Sequence, residues 1–276
     1  MPDDAAQPKA GAGLDLERPC LIGVVHLPPL PGAPGWRGDM ESVIERAVAD
    51  ARTYATAGFR AVVIENFGDT PFFKDAVPPE TVAAMAAAAG AVRSALGGEF
   101  PIGFNVLRND ASAALGLCAA FGGAFIRVNV HSGTMLTDQG IIEGRAAETL
   151  RKRQSLGLSD SVRILADVMV KHASPLGEVS LAQMAEDTFH RGHADALIVT
   201  GEGTGKATPL ERLRAVREAV PGAPLFAGSG VTLETLADTL SVANGVIVGS
   251  SLKRHGRLDA PVDPEIAEAF VRAAGA

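Results

Sequence analysis

The sequence predicts an α/β fold, a closed (β/α)8 TIM barrel, and two observations lead to it. Eight short apolar segments recur along the chain, and each is followed by a helix-like stretch, as in folds that alternate strands and helices. The length of 276 residues is also close to the roughly 250 residues that such barrels occupy. An open doubly wound sheet is the alternative, but no strand is followed by the GxGxxG turn that would favour it.

The predicted strands are rich in β-branched and other apolar residues and are flanked by Gly, Pro or Asp. Continuous apolar runs of this length are typical of strands buried on both faces of a parallel sheet. In chain order the predicted strands are 21–26, 61–66, 101–106, 124–130, 162–168, 195–200, 224–228 and 244–249.

The stretches between the strands carry Ala, Leu, Arg and Glu at amphipathic spacing, which predicts helices. Before the sixth of these helices, Thr208 is suited to cap its first turn and Pro209 to be its first residue. In chain order the predicted helices are 41–57, 80–96, 111–121, 141–156, 181–191, 209–219 and 233–240.

Composition and charge exclude several classes of partner. The 25 Lys and Arg residues against 32 Asp and Glu residues give a net charge of −7, and there is no basic run. Nucleic acids and anionic membranes are bound through neutralised phosphates, so neither is expected as a partner. No apolar run approaches the ~20 residues that an integral membrane helix needs.

The ends and the cysteines indicate a single intracellular domain. Residues 1–19 are predicted to be a flexible lead without the apolar region of a secretory signal, and residues 20–276 to form one barrel domain. Cys20 and Cys118 have no zinc spacing and are too few for a disulfide framework. We therefore expect both thiols to be reduced and buried, and the protein to be cytoplasmic.

The fourth strand gives the sharpest indication of a site. Arg127, Asn129 and His131 alternate with aliphatic residues, so all three polar side chains share one face of the strand. The aliphatic face suits the helical layer, which predicts that the polar face points into the barrel. A structural network in which a neighbouring carboxylate neutralises Arg127 is the alternative to a catalytic role.

Other predicted strands also end in polar residues, and the active site of such barrels lies at these ends. Glu65 and Asp167 are the expected counter-ions of Arg127 and Lys171, because charged residues are rarely buried unpaired. Carboxylates, imidazoles, amides and a lysine together suit general acid–base chemistry. The predicted catalytic set is His26, Glu65, Asn105, Arg127, Asn129, His131, Asp167, Lys171 and His172.

Two further chemistries of this set are less favoured. A divalent metal held by Glu65, Asp167 and an imidazole is the weaker alternative, so neither a metal nor any other cofactor is predicted. Burial could also make Lys171 an imine-forming nucleophile. An ion pair with Asp167 is expected to oppose that by keeping the lysine charged.

Glycine-rich loops follow the seventh and eighth predicted strands. Backbone N–H groups at such loops can approach an anion, and phosphate sites of this fold lie after these two strands. The simpler interpretation is that the glycines only form tight turns. The predicted phosphate-binding residues are Gly228, Ser229, Gly230, Gly249 and Ser250.

The loop after the sixth strand resembles a P-loop only superficially. Ala207 follows Lys206, and three rather than four residues separate Gly201 from Gly205, so the GxxxxGK[ST] pattern is not met. We interpret the segment with Thr200, Gly201 and Lys206 as a mobile lid whose lysine reaches a ligand anion.

The first two loops hold much of the aromatic content. The only Trp lies in the first loop, and three of the 11 Phe residues lie in residues 65–73. Aromatic clusters of this kind favour a substrate pocket or an interface, and the sequence leaves both open. A homo-oligomer is expected on the second interpretation.

Long motifs at these same positions resemble the BtpA/SgcQ family. They are IGVVHLPPLPGAPGW (22–36), IENFGDTPF (64–72), FNVLRNDA (104–111), FIRVNVHSGTMLTDQGIIEG (125–144), ADVMVKHASPL (166–176), DALIVTGEGTG (195–205), AGSGVT (227–232) and GVIVGSSLK (245–253). The resemblance spans about residues 20–272 and implies a TIM barrel of the phosphate-binding type. One branch of that family is named for photosystem I biogenesis and another lies among sugar-metabolism proteins, and no catalytic residue is carried over from either.

The leading hypothesis is an enzyme that acts on a small phosphorylated metabolite, such as a sugar phosphate, by acid–base chemistry at the barrel mouth. Isomerase, lyase and hydrolase reactions all fit the predicted residues. The alternative is an assembly or stability factor for a membrane complex such as photosystem I, without catalysis. The overall negative charge with cations at the mouth favours a small anionic ligand.

Overall fold

The computed structural model describes residues 13–16, 19–201 and 208–275. Eight parallel strands close into a barrel in the order β1-β11-β10-β9-β7-β4-β3-β2, which confirms the predicted fold and all eight predicted barrel strands. The barrel strands are β1 (Cys20–His26), β2 (Ala61–Glu65), β3 (Ile102–Asn105), β4 (Phe125–Val128), β7 (Arg163–Val168), β9 (Ala196–Val199), β10 (Leu225–Ala227) and β11 (Gly245–Val248).

Helices surround the barrel, and their bounds follow local capping signals. Asp39 accepts a hydrogen bond from the backbone N–H of Ser42 at the start of α1, as an N-cap residue should. Thr208 does not cap α6 as expected, because its hydroxyl donates to the Ser229 carbonyl instead. The helices are α1 (Met40–Ala57), α2 (Pro79–Leu96), α3 (Ala111–Phe121), α4 (Ala146–Ser155), α5 (Leu181–Glu186), α6 (Leu210–Ala219), α7 (Leu233–Leu240) and α8 (Pro264–Ala274).

A small antiparallel sheet, which we name the mouth sheet, is formed by two strands that follow β4 and one that follows β7. It consists of β6 (Gly140–Glu143), β5 (Thr134–Thr137) and β8 (Ala173–Pro175), in that order. The predicted helix 141–156 is therefore wrong over its first residues, and the helix begins only at Ala146. Met135 and Ile142 are buried while Leu136 and Ile141 are exposed, so the segment alternates as a strand does.

The interior of the barrel has an apolar lower layer and a polar upper layer. Along β2, the inward residues Ala61 and Val63 belong to the inner apolar cluster, and Glu65 ends the strand. Along β4, Phe125 is apolar and Arg127 is charged. Every second residue of a strand points into the barrel, and along both strands these inward residues change from apolar to polar towards the carboxyl end.

The two cysteines of the chain lie in the protein interior. Cys20 and Cys118 are both free and buried, as expected. Burial raises the pKa of the Cys20 thiol to about 12 and raises that of Cys118 further, so both thiols are unreactive.

Within the described ranges, no helix is long and apolar enough to cross a membrane.

Candidate active site at the barrel mouth

A buried ionic cluster, here the carboxylate cluster, occupies the upper layer of the barrel. Arg127 donates from Nε and Nη2 to the two oxygens of Asp167 at 3.0 and 3.1 Å, and from Nη1 to Glu65 Oε1 at 3.3 Å. Asn129 donates to Asp167 Oδ2 at 2.8 Å, and Asn105 donates to Glu65 Oε1 at 2.9 Å. Five of the predicted catalytic residues are thus brought together from four strands.

Asp167 and Glu65 are hydrogen-bonded to different extents within this cluster. Burial disfavours the cation of Arg127, but Asp167 and Glu65 outweigh this and raise the pKa of the guanidinium. Asp167 uses both oxygens on Arg127 and Asn129. The described hydrogen bonds of Glu65 all end on Oε1, which leaves Oε2 for a ligand.

The ion pair expected between Lys171 and a carboxylate is not formed. Among the ion pairs of the described residues, those of Glu65 and Asp167 are made with Arg127, and none involves Lys171. Burial, followed by the neighbouring Arg127, lowers the pKa of Lys171 to about 8 against the opposing effects of Glu65 and Asp167. A substantial share of this lysine is therefore an uncharged amine at mildly alkaline pH.

A cavity of about 400 Å³, the main cavity, lies above the cluster. This volume is within the range of small-molecule sites. Its walls come from the ends of the strands, from the segments after β2, β3 and β7, and from the turn of the mouth sheet. They are Glu65, Phe67, Thr70, Phe72, Asn105, Leu107, Arg108, Asn129, Asp138, Lys171 and His172.

The glycine cradle, formed by residues 228–230 and 249–251, borders a second cavity of about 30 Å³. His26 and Lys171 also line it. Part of the glycine content has a packing reason, because a Cβ at Gly228 would meet Ile198 and one at Gly249 would meet His26. The predicted phosphate residues therefore lie together around one small space, which also has a lysine in its wall.

His26 is a half-buried, neutral imidazole in the wall of the cradle. Burial and then the nearby Lys253 and Lys171 hold its pKa well below the usual range. Its Nδ1 is buried without a hydrogen-bond partner among the described residues, and its ring packs 4.7 Å from that of Phe67. Such a nitrogen is free to bond to a ligand in the cradle.

His131 is not part of the site, contrary to expectation. Its Nε2 lies 2.8 Å from the carbonyl oxygen of Gly192 and its side chain is fully buried. β4 ends at Val128, so the period of two that places Arg127 and Asn129 in the barrel no longer applies three residues later. The imidazole contacts the segment after α5 instead of the cavity.

The predicted lid is fixed at its start. Thr200 is fully buried, and its hydroxyl accepts a hydrogen bond from the backbone N–H of Lys171 at 3.0 Å. The backbone N–H of Gly201 donates to Ser229 Oγ at 3.0 Å. Both residues are thus part of the rigid frame rather than of a mobile lid, and Lys206 lies outside the described residues.

Arg108 is a site residue that the sequence reasoning missed. It is buried, lines the main cavity, and donates from Nη2 to the Lys171 carbonyl at 2.6 Å. Its Nε has no partner among the described residues. The signal was present, since an arginine two residues after a predicted strand end satisfies the same criterion that singled out Lys171.

The aromatic loop after β2 serves the pocket in part. Phe67 and Phe72 line the main cavity, whereas Phe73 is 57% exposed. Within the described ranges no group of three His, Cys, Asp or Glu side chains is arranged to hold an ion, and Arg127 donates hydrogen bonds to both oxygens of Asp167.

Solved structures share the fold of this chain at low sequence identity. Phosphoribosyl anthranilate isomerase from Thermus thermophilus superposes with a TM-score of 0.56 at 13% identity, covering 92% of this chain and 98% of that one. Orotidine 5'-phosphate decarboxylase from Pyrococcus horikoshii gives 0.56 at 14% identity, with coverage of 93% and 100%. Similarity at this level establishes the TIM barrel alone.

Sequence relatives are much closer. The chain is 46% identical to the photosystem I biogenesis protein BtpA of a Synechocystis strain, over 92% of this chain and 87% of that protein. It is 44% identical to an uncharacterized protein of Pyrococcus furiosus, over 94% and 96%. The model of the BtpA family matches residues 17–276. The chain therefore belongs to the BtpA family.

Proposed function

We propose that the protein is an enzyme that acts on a small phosphorylated metabolite of the sugar-phosphate type by acid–base chemistry. One observation carries the proposal: the main cavity and the glycine cradle share Lys171 in their walls. A ligand with its phosphate in the cradle would place its carbon chain above the carboxylate cluster. The names of the two structural neighbours contain phosphorylated substrates, which is consistent with this arrangement.

The contacts of each residue suggest its role. Glu65 is the preferred base because Oε2 is not used by the cluster. Asp167 orients Arg127 and Asn129 and is a positioning residue, since its oxygens are already occupied. His172 lines the main cavity and is the preferred acid. His26 and the backbone of the cradle would bind the phosphate oxygens.

Thermal-shift measurements with ribose 5-phosphate and ribose test this function. We expect ribose 5-phosphate to raise the melting temperature and ribose to leave it unchanged, because ligands that bind only the native state stabilise it. Ser250→Asp, which puts a negative charge into the cradle, should abolish the shift. Ser112→Asp, on the exposed side of α3, is the matched control. Equal shifts for wild type and Ser250→Asp would refute the phosphate site.

A second function, docking to a protein partner, is favoured by a different observation. The mouth sheet and the loop after it expose Leu136, Ile141 and Leu176 at 49%, 46% and 58%, and exposed apolar clusters mark interaction sites. The printed name of the Synechocystis relative agrees with this alternative. The double variant Leu136→Ser, Leu176→Ser should then no longer bind the partner protein. Sedimentation of the wild type and the double variant shows whether that partner is a second copy of the chain.

A further inference from the structure

Lys171 lies between the main cavity and the cavity of the glycine cradle. It lines the main cavity with Glu65 and Asn129, and it lines the glycine cradle with His26. A ligand anchored by a phosphate in the cradle therefore has its neighbouring carbons beside this amine. No other lysine of the described residues lines either cavity.

The surroundings of Lys171 separate it from an ordinary ion-pairing lysine. The carboxylates of the cluster are both bonded to Arg127, and the charged groups that act on Lys171 are Arg127, Glu65, Asp167 and Arg108. Burial is the largest cause of its lowered pKa of about 8. At neutral pH about a tenth of Lys171 is the free amine, against less than about a thousandth for an ordinary lysine.

The backbone that carries Lys171 is held in place on both sides. Its N–H donates to Thr200 Oγ1 at 3.0 Å and its carbonyl accepts from Arg108 Nη2 at 2.6 Å. Met169 and His172, which flank it, adopt left-handed backbone angles with φ of 51° and 56°. Strained backbone of this kind persists where the fold fixes a functional group.

We propose that Lys171 forms an iminium with the carbonyl carbon of a phosphorylated aldehyde or ketone whose phosphate lies in the glycine cradle. This inference rests on the proposed function and narrows its substrate to carbonyl compounds. It also narrows the chemistry to reactions that an iminium assists, in which electrons flow from a neighbouring carbon into the C=N bond.

The step balances with water as the only molecule released. The lone pair of the Lys171 nitrogen attacks the carbonyl carbon, and the π electrons of the C=O bond move onto oxygen to give a carbinolamine. After proton transfer, the nitrogen lone pair forms the second C–N bond while the C–O bond breaks with its electron pair on oxygen, which leaves as water. Of the three protons of the starting ammonium, two end in the released water and one stays on the iminium nitrogen. Glu65, with Oε2 unused by the cluster, is placed in the same cavity to carry these protons one at a time.

Reductive trapping tests the inference. The protein is incubated with dihydroxyacetone phosphate or glyceraldehyde 3-phosphate and cyanoborohydride, and the modified lysine is located by peptide mass mapping. Dihydroxyacetone without phosphate is the parallel reagent. We expect the reduced adduct on Lys171 and not on the exposed Lys152, because the amine fraction of Lys171 exceeds that of an ordinary lysine by more than about a hundredfold. The phosphorylated reagents should react faster than dihydroxyacetone.

Lys171→Arg keeps the positive charge and removes the imine chemistry. It should retain the thermal shift with ribose 5-phosphate and lose the adduct, whereas Lys152→Arg should change neither. A thermal shift with the phosphorylated reagents but no adduct on Lys171 overturns the inference and leaves the proposed function standing. An adduct on Lys171 that forms equally fast without the phosphate, together with no thermal shift, overturns the phosphorylated substrate and the proposed function with it.

Discussion

Replacing Arg127 by Met should destabilise the protein strongly. The substitution keeps much of the side-chain volume but removes the three hydrogen bonds to Asp167 and Glu65. Both carboxylates are nearly inaccessible to water, and each would keep only one amide donor, Asn129 or Asn105. Leaving buried charge without its partner costs about 3–5 kcal/mol, or about 6 to 20 °C in melting temperature for a chain of this size.

The assay is thermal and urea unfolding of the wild type and the variant at neutral pH. Arg272→Met, which breaks an exposed pair with Glu268, should cost less than about 1 kcal/mol. A deficit for Arg127→Met that is below about 1 kcal/mol refutes the reasoning.

Three further substitutions have outcomes that the structure determines. Lys171→Met should stabilise the protein at pH 7 by up to about 3 kcal/mol, because the unfolded chain binds the lysine proton more tightly than the native state does. The wild type should regain stability as the pH rises from about 8 towards 10.5. A variant that is less stable than the wild type in urea unfolding at neutral pH would contradict this. Gly103→Ala should lower the stability by about 1–3 kcal/mol, since its Cβ would meet the ring of Phe125 inside the barrel. Gly116→Ala, which meets open space within α3, should raise it by about 0.5–1 kcal/mol, and the opposite order of the two melting temperatures would contradict the packing argument.

The barrel was predictable because each buried strand is a short apolar run bounded by turn residues. The mouth sheet was not, since residues 140–143 precede a genuine helix and their Ile-Ile-Glu pattern suits its amphipathic spacing. The strand identity of this segment comes from pairing with residues 134–137, which no local pattern contains. Tertiary pairing overrides local propensity in such places.

The candidate site was predictable where the strand period applies and not beyond it. Glu65, Asn105 and Arg127 lie within β2, β3 and β4, so alternation alone placed them in the interior. His131 and Arg108 lie beyond the strand ends, where each direction is set by loop contacts with Gly192 and Lys171. The same limit explains why Thr200, which was expected to move, is held by a hydrogen bond from the backbone of Lys171.

The two layers of the barrel interior contribute differently to stability and to the proposed site. The lower layer, with Phe125 and Phe226 among its buried side chains, fills the barrel interior, so the proposed ligand would enter from the side of the loops and the mouth sheet. Substitutions in the lower layer act on stability alone, whereas those in the upper layer, such as at Arg127 or Lys171, act on stability and also on the proposed site. The two effects of an upper-layer substitution therefore need separate measurements, one of unfolding without a ligand and one of the thermal shift with a ligand.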